Sequence, residues 1–215
     1  MPNRMIDDLY PYMPWDEIDN VVFDVGNVLL RFDPQSFLNE LVPERPDLHS
    51  RLMLRVFRSP YWIMMDYGEA TCAAAADMMC RGQPELEPYI RRILEGWVAM
   101  RETIPEGVAA LEACRRHGKK VYILSNYGDD SFTVVEQKYD FLRNADGRVV
   151  SSREHLMKPD PAIYRLLIRR YGLEPERTLF IDDSTANIAV PLTMGWQGLC
   201  FNEPGKLRRF FSDNA

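Results

Sequence analysis

Four short segments spread along the chain carry the carboxylates, the hydroxyl and the lysine that phosphoryl chemistry requires. Asp24 follows the apolar run VVF, and Ser125 follows VYIL. The adjacent acids Asp182 and Asp183 come at the end of TLFI, and Lys158 precedes a proline. Because ligands bind outside the carboxyl ends of strands in an open parallel sheet, we predict that these residues converge. The predicted site combines a carboxylate nucleophile, an acidic metal site and a fixed positive charge.

Each residue type has a chemical role at such a position. A carboxylate can attack phosphorus and form an aspartyl-phosphate, which makes Asp24 the candidate nucleophile. Ser125 and Asn126 are candidate ligands for the phosphoryl oxygens. The ammonium of Lys158 would balance the charge of a bound phosphoryl group and of Asp24.

The two adjacent acids predict a bound cation, because their mutual repulsion is unfavourable without one. Mg²⁺ is the predicted ion, since it prefers hard oxygen ligands in octahedral geometry. The candidate ligands are Asp24, the carbonyl of Gly26 and Asp183, with Asp182 binding directly or through water. Asn187, one helical turn later, is predicted to hold this loop or to orient the lysine.

Taken singly, these residues also fit ordinary structural roles. A strand-end aspartate, a serine and asparagine in a turn, and a surface lysine are all common, and Asp183 or Ser184 can cap a helix. Gly26 favours close backbone approach or a positive φ. The ordered combination of the four segments is what indicates phosphoryl chemistry.

The elements that would position these residues alternate along the chain. Strands are predicted at 20–25, 119–125, 148–151, 178–181 and 198–201, and helices at 105–117, 129–139, 160–171, 185–194 and 206–211. Such alternation is typical of βαβ units and a mostly parallel sheet. The stretch from 35 to 101 has no convincing strand, and its helices are predicted at 35–42, 47–58, 70–81 and 86–101.

Composition narrows the function classes further. The net charge of −6 comes from interspersed acids and bases without a basic stripe, which argues against a nucleic-acid partner. The four cysteines and three histidines lack zinc-type spacing, so we expect reduced, mostly buried thiols and a cytoplasmic protein. The first 19 residues are predicted to form an irregular arm, without a signal peptide, that Tyr10 and Trp15 pin to the core, and no apolar run is long enough to span a membrane. Oligomeric state is not predictable from these features.

The segments together resemble the haloacid dehalogenase (HAD) superfamily. FDVGNVL is similar to its first motif, LSN to its second, KPDPAIY to its third and IDDSTAN to its fourth. The resemblance runs from about residue 21 to 201. It implies a Rossmann-like, doubly wound α/β core formed by residues 1–34 and 102–215, with an all-helical cap of the C1 type at 35–101.

The resemblance also implies Mg²⁺-assisted phosphoryl transfer through Asp24, with Ser125 and Lys158 assisting. The FD-x-GNV form of the first motif is similar to that of bacterial sugar-phosphate phosphatases, including one that acts on α-glucose 1-phosphate. A small phosphorylated metabolite is therefore the expected substrate.

One position departs from the family pattern. Most phosphatases of the superfamily carry a second aspartate two residues after the nucleophile, where this chain has Gly26, and Val28 replaces the threonine that usually follows. The second aspartate acts as general acid and base. Either the substrate has a good leaving group, such as a sugar 1-phosphate, or a residue of the cap takes over the role. Glu69 is the candidate from the sequence.

Two alternatives remain open at this point. A 2-haloacid dehalogenase shares the nucleophile, the LSN motif and the spacing between Lys158 and Tyr164, and it also lacks the second acid. Such enzymes need no metal, however, and resemble this chain least at the fourth motif, where Asp182 and Asp183 favour Mg²⁺ and phosphate. The other alternative is a catalytically weak binding or regulatory protein that keeps the fold.

Overall fold

The computed structural model describes residues 14–214, and five parallel strands form its central sheet. The strands are β1 (Asn20–Phe23), β2 (Lys120–Ser125), β3 (Gly147–Val150), β4 (Thr178–Asp182) and β5 (Gln197–Cys200). Their order in the sheet is β3-β2-β1-β4-β5, and every neighbouring pair is parallel. The predicted α/β fold with a parallel, Rossmann-like sheet is confirmed.

The three central strands β1, β2 and β4 are continuous apolar runs, as expected where helices cover both faces of a sheet. Along β1, Val21 and Phe23 pack into one core and Val22 packs into the other, as the two-residue period of a strand requires. The second core also contains Ile163 and Ile188 from the helices that follow β3 and β4.

The helices of the sheet-forming part follow the strands in sequence. They are α6 (Pro105–Arg116), α7 (Asp129–Lys138), α8 (Asp140–Arg143), α9 (Ser151–Glu154), α10 (Pro161–Tyr171), α11 (Thr185–Leu192) and α12 (Lys206–Asn214). The sequence did not predict the two single-turn helices α8 and α9, because four residues are too few to show a helical period.

Between β1 and α6 the described chain forms a helical insert. Its α-helices are α1 (Pro34–Leu41), α2 (His49–Leu52), α3 (Pro60–Tyr67), α4 (Cys72–Cys80) and α5 (Glu87–Gly96), with a π-helix at Met53–Phe57. The prediction missed α3, which Ser59 caps through its hydroxyl and Gly68 ends in the left-handed conformation. The helix predicted at 86–101 was too long, because regular helix ends at Gly96.

The two connections between the insert and the sheet run side by side. The N–H of Arg31 donates to the carbonyl of Glu102 (2.8 Å), and that of Ile104 donates to Leu29 (2.8 Å). Leu30 and Thr103 form an antiparallel bridge between these two bonds. The two segments that connect the insert to the sheet are therefore paired with each other along residues 29–31 and 102–104.

The N-terminal arm is partly outside the described residues. Tyr10, predicted to pin the arm, lies in that undescribed part, whereas Trp15 is buried against Phe210 and Phe211 at ring distances of 6.0 and 5.2 Å. The four cysteines are free, and three of them are buried. Among the described helices, none has the length and apolarity needed to span a membrane.

Substituting Gly107 in α6 is expected to disturb the segment that follows the candidate nucleophile. A Cβ at Gly107 would lie 1.8 Å from the backbone oxygen of Val28, so Gly107→Ala must push helix and loop apart. We expect a loss of about 1–3 kcal/mol in the free energy of unfolding, measured by urea denaturation.

Gly96→Ala is the matched control for this prediction. Its Cβ would meet only the flexible tip of Leu41, at 2.7 Å, and the change favours helix formation. Equal losses in both variants would contradict the close contact at Gly107.

Candidate active site

Three adjacent strands bring the predicted residues to one edge of the sheet. Asp24 directly follows β1, and its backbone N–H donates to Ile181 of β4 (2.9 Å). Ser125 is the buried last residue of β2, and Asp182 is the buried last residue of β4. Because β1 lies between β2 and β4, these ends are neighbours although more than 150 residues separate the first from the last.

A buried lysine joins two of these acids. The ammonium of Lys158 lies 2.8 Å from Oδ1 of Asp24 and 2.7 Å from Oδ2 of Asp182. The three residues are at most 7% exposed, so the ion pairs are shielded from water. At such depth a lone charge is costly, and mutual pairing keeps all three groups in place.

Two asparagines hold the lysine and its partner in position. The side-chain amide of Asn126 donates to the carbonyl of Lys158 (2.9 Å) and accepts from its N–H (2.8 Å). The amide of Asn187 donates to both oxygens of Asp182 (3.0 and 3.1 Å). Asn187 is thus linked to Lys158 through Asp182, and its predicted role in holding this loop or orienting the lysine stays a prediction. Asn126, predicted to bind phosphoryl oxygens, contacts the backbone of Lys158 here, and its predicted role towards phosphate stays a prediction.

Asp24, Asp182 and Asp183 form a cluster that fits a divalent cation. Each offers a carboxylate oxygen within 4.8 Å of the others. Both oxygens of Asp182 are already engaged by Lys158, Asn187 and a backbone N–H, whereas within residues 14–212 no hydrogen bond reaches Oδ2 of Asp24. Direct ligation is therefore more available to Asp24 and Asp183 than to Asp182.

The net charge of the cluster also favours a bound dication. Three carboxylates face one ammonium, which leaves two negative charges without compensation. Burial raises the pKa of Asp24, and the charges of its two acidic neighbours add to the rise while Lys158 opposes it. Burial also raises the pKa of Asp183. Although burial disfavours its ammonium, the charges of Asp182 and Asp24 raise the pKa of Lys158. A hard dication would balance this set.

Asn27 is a site residue that the sequence interpretation missed. Its amide donates to Oδ2 of Asp183 (3.1 Å) and accepts from the N–H of Phe32 (2.9 Å). These bonds fix the first loop, the segment that follows β1, to the segment that follows β4. The left-handed backbone conformation lies at Asn27 (φ 52°) and not at Gly26. Asparagine is one of the few residues other than glycine that adopt this conformation readily, and this is the signal in the sequence.

Gly26 faces open space beside the nucleophile. A Cβ built there would meet only Oδ2 of Asp24, at 4.0 Å. Position 26 can therefore carry a side chain without a clash, and the missing second acid is not imposed by packing.

A small cavity adjoins Gly26 on the side of the helical insert. Its volume is about 90 Å³. The lining residues are Gly26, Phe32, Trp62, Asp66, Trp97, Arg101, Asn126 and Tyr127. Asp66 and Arg101 are the charged members, and the sequence interpretation identified neither. A lone acid in a short helix and an arginine after a helix carry no motif that distinguishes them from surface residues.

Glu69, the acid proposed from the sequence, lies elsewhere. Its side chain is exposed and lines a separate cavity with Asp129, Asp130 and His155. Gly26 does not border that cavity. Asp66, one helical turn earlier, is the acid of the insert that shares a cavity with Gly26.

The comparison with known families agrees with the site. The sequence model of the haloacid dehalogenase-like hydrolases matches residues 18–191, which include every predicted site residue. The chain belongs to the haloacid dehalogenase-like hydrolase family. The predicted superfamily is thus confirmed, and the protein is an enzyme of the hydrolase class.

Individual relatives of this hydrolase include phosphatases. A flavin mononucleotide hydrolase of Arabidopsis thaliana is 38% identical over 82 residues, or 38% of this chain, and the chain spans only 34% of that relative's length. A GMP/IMP nucleotidase of Escherichia coli is 26% identical over 191 residues, covering 80% of this chain and 77% of the relative.

A solved structure shares the fold of this hydrolase. It is a HAD family enzyme from Bacteroides thetaiotaomicron in complex with magnesium and inorganic phosphate. The TM-score is 0.66 at 22% identity, and the match covers 85% of this chain and 93% of the other. At this identity the likeness shows the common fold.

Proposed function

We propose that this hydrolase is a Mg²⁺-dependent phosphatase that acts on a small phosphomonoester through an aspartyl-phosphate on Asp24. The observation that carries the proposal is the buried ammonium of Lys158 between Asp24 and Asp182, with the third acid of the cluster beside them. One nucleophilic carboxylate, one fixed cation and an acidic metal site are the groups that phosphoryl transfer needs.

Mg²⁺ would be held by Asp24 and Asp183, joined by the Gly26 carbonyl, with Asp182 acting through Lys158 or a bridging water. When bound, the ion would offset the charge of the transferring phosphoryl group and of the carboxylates. Asn27 supports this arrangement because it fixes Asp183 relative to the first loop.

The remaining groups act on the phosphoryl group itself. A carboxylate oxygen of Asp24 attacks phosphorus in line, and the bond from phosphorus to the leaving oxygen breaks as that oxygen takes up a proton. Water then attacks the aspartyl-phosphate, loses a proton and regenerates the Asp24 carboxylate with release of inorganic phosphate. Lys158 compensates the charge in both steps, and the hydroxyl of Ser125 donates to a phosphoryl oxygen.

The helical insert serves as the cap that covers this site. Residues 35–101 are assigned to the cap, and the described parts of 1–34 and 102–215, residues 14–34 and 102–214, are assigned to the core. Support comes from contacts with loops beyond the strand ends, including the N–H of Cys72 donating to Asp130 (2.7 Å). Closure of such a cap excludes water from the reacting groups.

The substrate is a small phosphorylated metabolite, and sugar phosphates such as glucose 1-phosphate are the first candidates. The FD-x-GNV motif supports this choice. The nucleotidase and flavin mononucleotide hydrolase relatives support a phosphatase in general. The free cysteines fit a cytoplasmic location.

One experiment tests this function against its rivals. Purified protein is assayed for phosphate release from p-nitrophenyl phosphate and a sugar-phosphate panel and for halide release from a 2-haloacid, each with and without EDTA, and its binding of the same sugar phosphates is measured. Phosphate release that EDTA abolishes supports the proposal. Halide release that EDTA leaves unchanged identifies a 2-haloacid dehalogenase, for which the absent acid at Gly26 is the favouring observation. Tight binding without turnover identifies a binding protein.

Removing the carboxylate of Asp183 is expected to weaken metal use. Asp183→Ala should raise the Mg²⁺ concentration for half-maximal activity at least about tenfold, since a charged ligand of a hard dication is lost. The measurement is a Mg²⁺ titration of p-nitrophenyl phosphate hydrolysis. Asp140→Ala, at an exposed acid paired with Arg143, is the control. An unchanged titration for Asp183→Ala would exclude it as a ligand.

A further inference from the structure

We propose that Asp66 of the helical insert supplies the general acid and base that Gly26 lacks. This inference rests on the proposed phosphatase function. The two positions border the same cavity of about 90 Å³, and a Cβ at Gly26 would lie 4.0 Å from Oδ2 of the candidate nucleophile Asp24. A carboxyl group on the cavity wall facing the core would stand on the leaving-group side of Asp24.

The position of Asp66 is fixed by contacts between the insert and the core. Its backbone carbonyl accepts a hydrogen bond from the hydroxyl of Ser151, which follows β3. Two residues later, Gly68 lies so close to Ser152 that an added Cβ would be 2.1 Å from the Ser152 backbone oxygen. The end of α3 is therefore held against the rim of the sheet, and Asp66 faces the site from a defined place.

The surroundings suit a group that both gives and takes a proton. Burial raises the pKa of Asp66 to about 7, and the charge of Asp24 adds to the rise. The hydrogen bond from the N–H of Gly128, the charge of Arg101 and a hydrogen bond with Trp62 act to lower this pKa. Tyr127 and Cys72 are the other titratable groups near Asp66, and burial raises the pKa of both. A value near neutrality is favourable for general acid and base catalysis.

Arg101 gives independent support for a ligand in this cavity. It is almost fully buried among Phe32, Trp97 and Tyr127, with its guanidinium 5.2 to 5.6 Å from the three ring centres. Its Nε–H has no hydrogen-bond partner among the described residues. A buried, unpaired donor is costly, and an oxygen of the leaving group would satisfy it.

The proton balance of the reaction assigns Asp66 two steps. In the first, the protonated carboxyl gives its proton to the leaving oxygen as Asp24 displaces it from phosphorus, and the alcohol departs. In the second, the resulting carboxylate takes a proton from the water that attacks the aspartyl-phosphate. Phosphate leaves, and Asp66 is again protonated.

The test compares leaving groups that differ in their need for a proton. In Asp66→Asn, kcat/KM for an alkyl phosphate is expected to fall about 10²- to 10⁴-fold, because cleavage now expels an alkoxide. For p-nitrophenyl phosphate, whose leaving group needs no proton, kcat/KM should stay within about tenfold. Its kcat should fall with a burst of p-nitrophenolate, since the second step has lost its base.

A second variant and a control sharpen the test. Gly26→Asp in the Asp66→Asn background should recover at least about tenfold of the lost kcat/KM for the alkyl phosphate, because position 26 has room for a side chain. Glu69→Gln, at the exposed acid one turn away, should leave both substrates unaffected. Circular dichroism melting confirms that each variant is folded.

Two outcomes would overturn the role of Asp66. One is an alkyl-phosphate kcat/KM that Asp66→Asn leaves unchanged. The other requires only the unsubstituted enzyme. It is a kcat/KM that falls steeply as the basicity of the leaving group rises. Failure of the proposed function looks different, because then the unsubstituted enzyme releases no phosphate from any of these substrates.

Discussion

Asp24→Asn is expected to abolish phosphate release while the protein stays folded. An amide cannot attack phosphorus, so we expect at least a 10⁴-fold loss in kcat, on the order of that seen when a nucleophile is removed. The measurement is hydrolysis of p-nitrophenyl phosphate at saturating Mg²⁺. Residual turnover above about 1% of the unsubstituted rate would refute Asp24 as nucleophile.

The same variant should change how stability responds to pH. Burial raises the pKa of Asp24 above its unfolded value, so between the two values the folded state binds more protons than the unfolded state. The stability of the metal-free protein should therefore decline as the pH rises from about 4 towards neutrality. Because the amide introduced by Asp24→Asn cannot titrate, thermal melting at pH 5 and pH 8 should show a smaller decline in the variant.

Asp33→Asn is the matched control for both readouts. Asp33 caps α1 by accepting from the N–H of Ser36 (3.1 Å), and asparagine caps helices equally well. The control should keep its activity, its melting temperature and its pH response. A loss of activity in the control would show that the assay reports general disturbance of the first loop.

Lys158→Met is expected to cause the largest loss of stability among the site variants. Methionine fills the space but leaves Asp24 and Asp182 buried without their shared cation. Removing one partner from a buried ion pair costs about 3–5 kcal/mol, and we expect this decrease in the free energy of unfolding at pH 8. Turnover should also collapse, because nothing then balances the phosphoryl charge.

Lowering the pH should reduce this loss in the free energy of unfolding. Lys158 opposes the rise in the pKa of Asp24, so without the ammonium that pKa rises further. Protonation at pH 5 then removes the repulsion between the carboxylates and narrows the gap to the unsubstituted protein. Urea denaturation at pH 5 and pH 8 measures the effect. Lys120→Met, at an exposed lysine 3.7 Å from Asp146, should cost no more than about 1 kcal/mol at either pH. Similar losses in the two variants would contradict the buried bridge.

The sheet was predictable because its signals are local. The three central strands β1, β2 and β4 are apolar runs with polar ends, and the observed bounds of all five strands differ from the predicted ones by at most two residues. Strand order, in contrast, depends on which edges pair. The rule that ligands bind at the carboxyl ends was enough to bring Asp24 and Asp182 together without knowledge of that order.

Pairing partners within the site were less predictable. The amide of Asn126 is equally suited to bind a phosphate or a backbone, and only the fold shows it paired with Lys158. Asp66 lies in a helix whose apolar residues have no clear period, and its importance arises from a cavity shared with the distant loop at Gly26. Such long-range proximity leaves no trace in the local sequence.

The pairing of the two segments that connect the insert to the sheet has a consequence for turnover. Because the two connecting segments are hydrogen-bonded to each other, residues 31–33 and 101–104 are where the proposed cap would turn if it opened. Arg101 is part of this pivot, and its guanidinium donates to the carbonyl of Arg31 (2.6 Å) on the opposite connection. An opening of the cap that admits a new substrate would therefore move Asp66 away from Gly26. Substrate entry and bond cleavage would then take place in two different conformations.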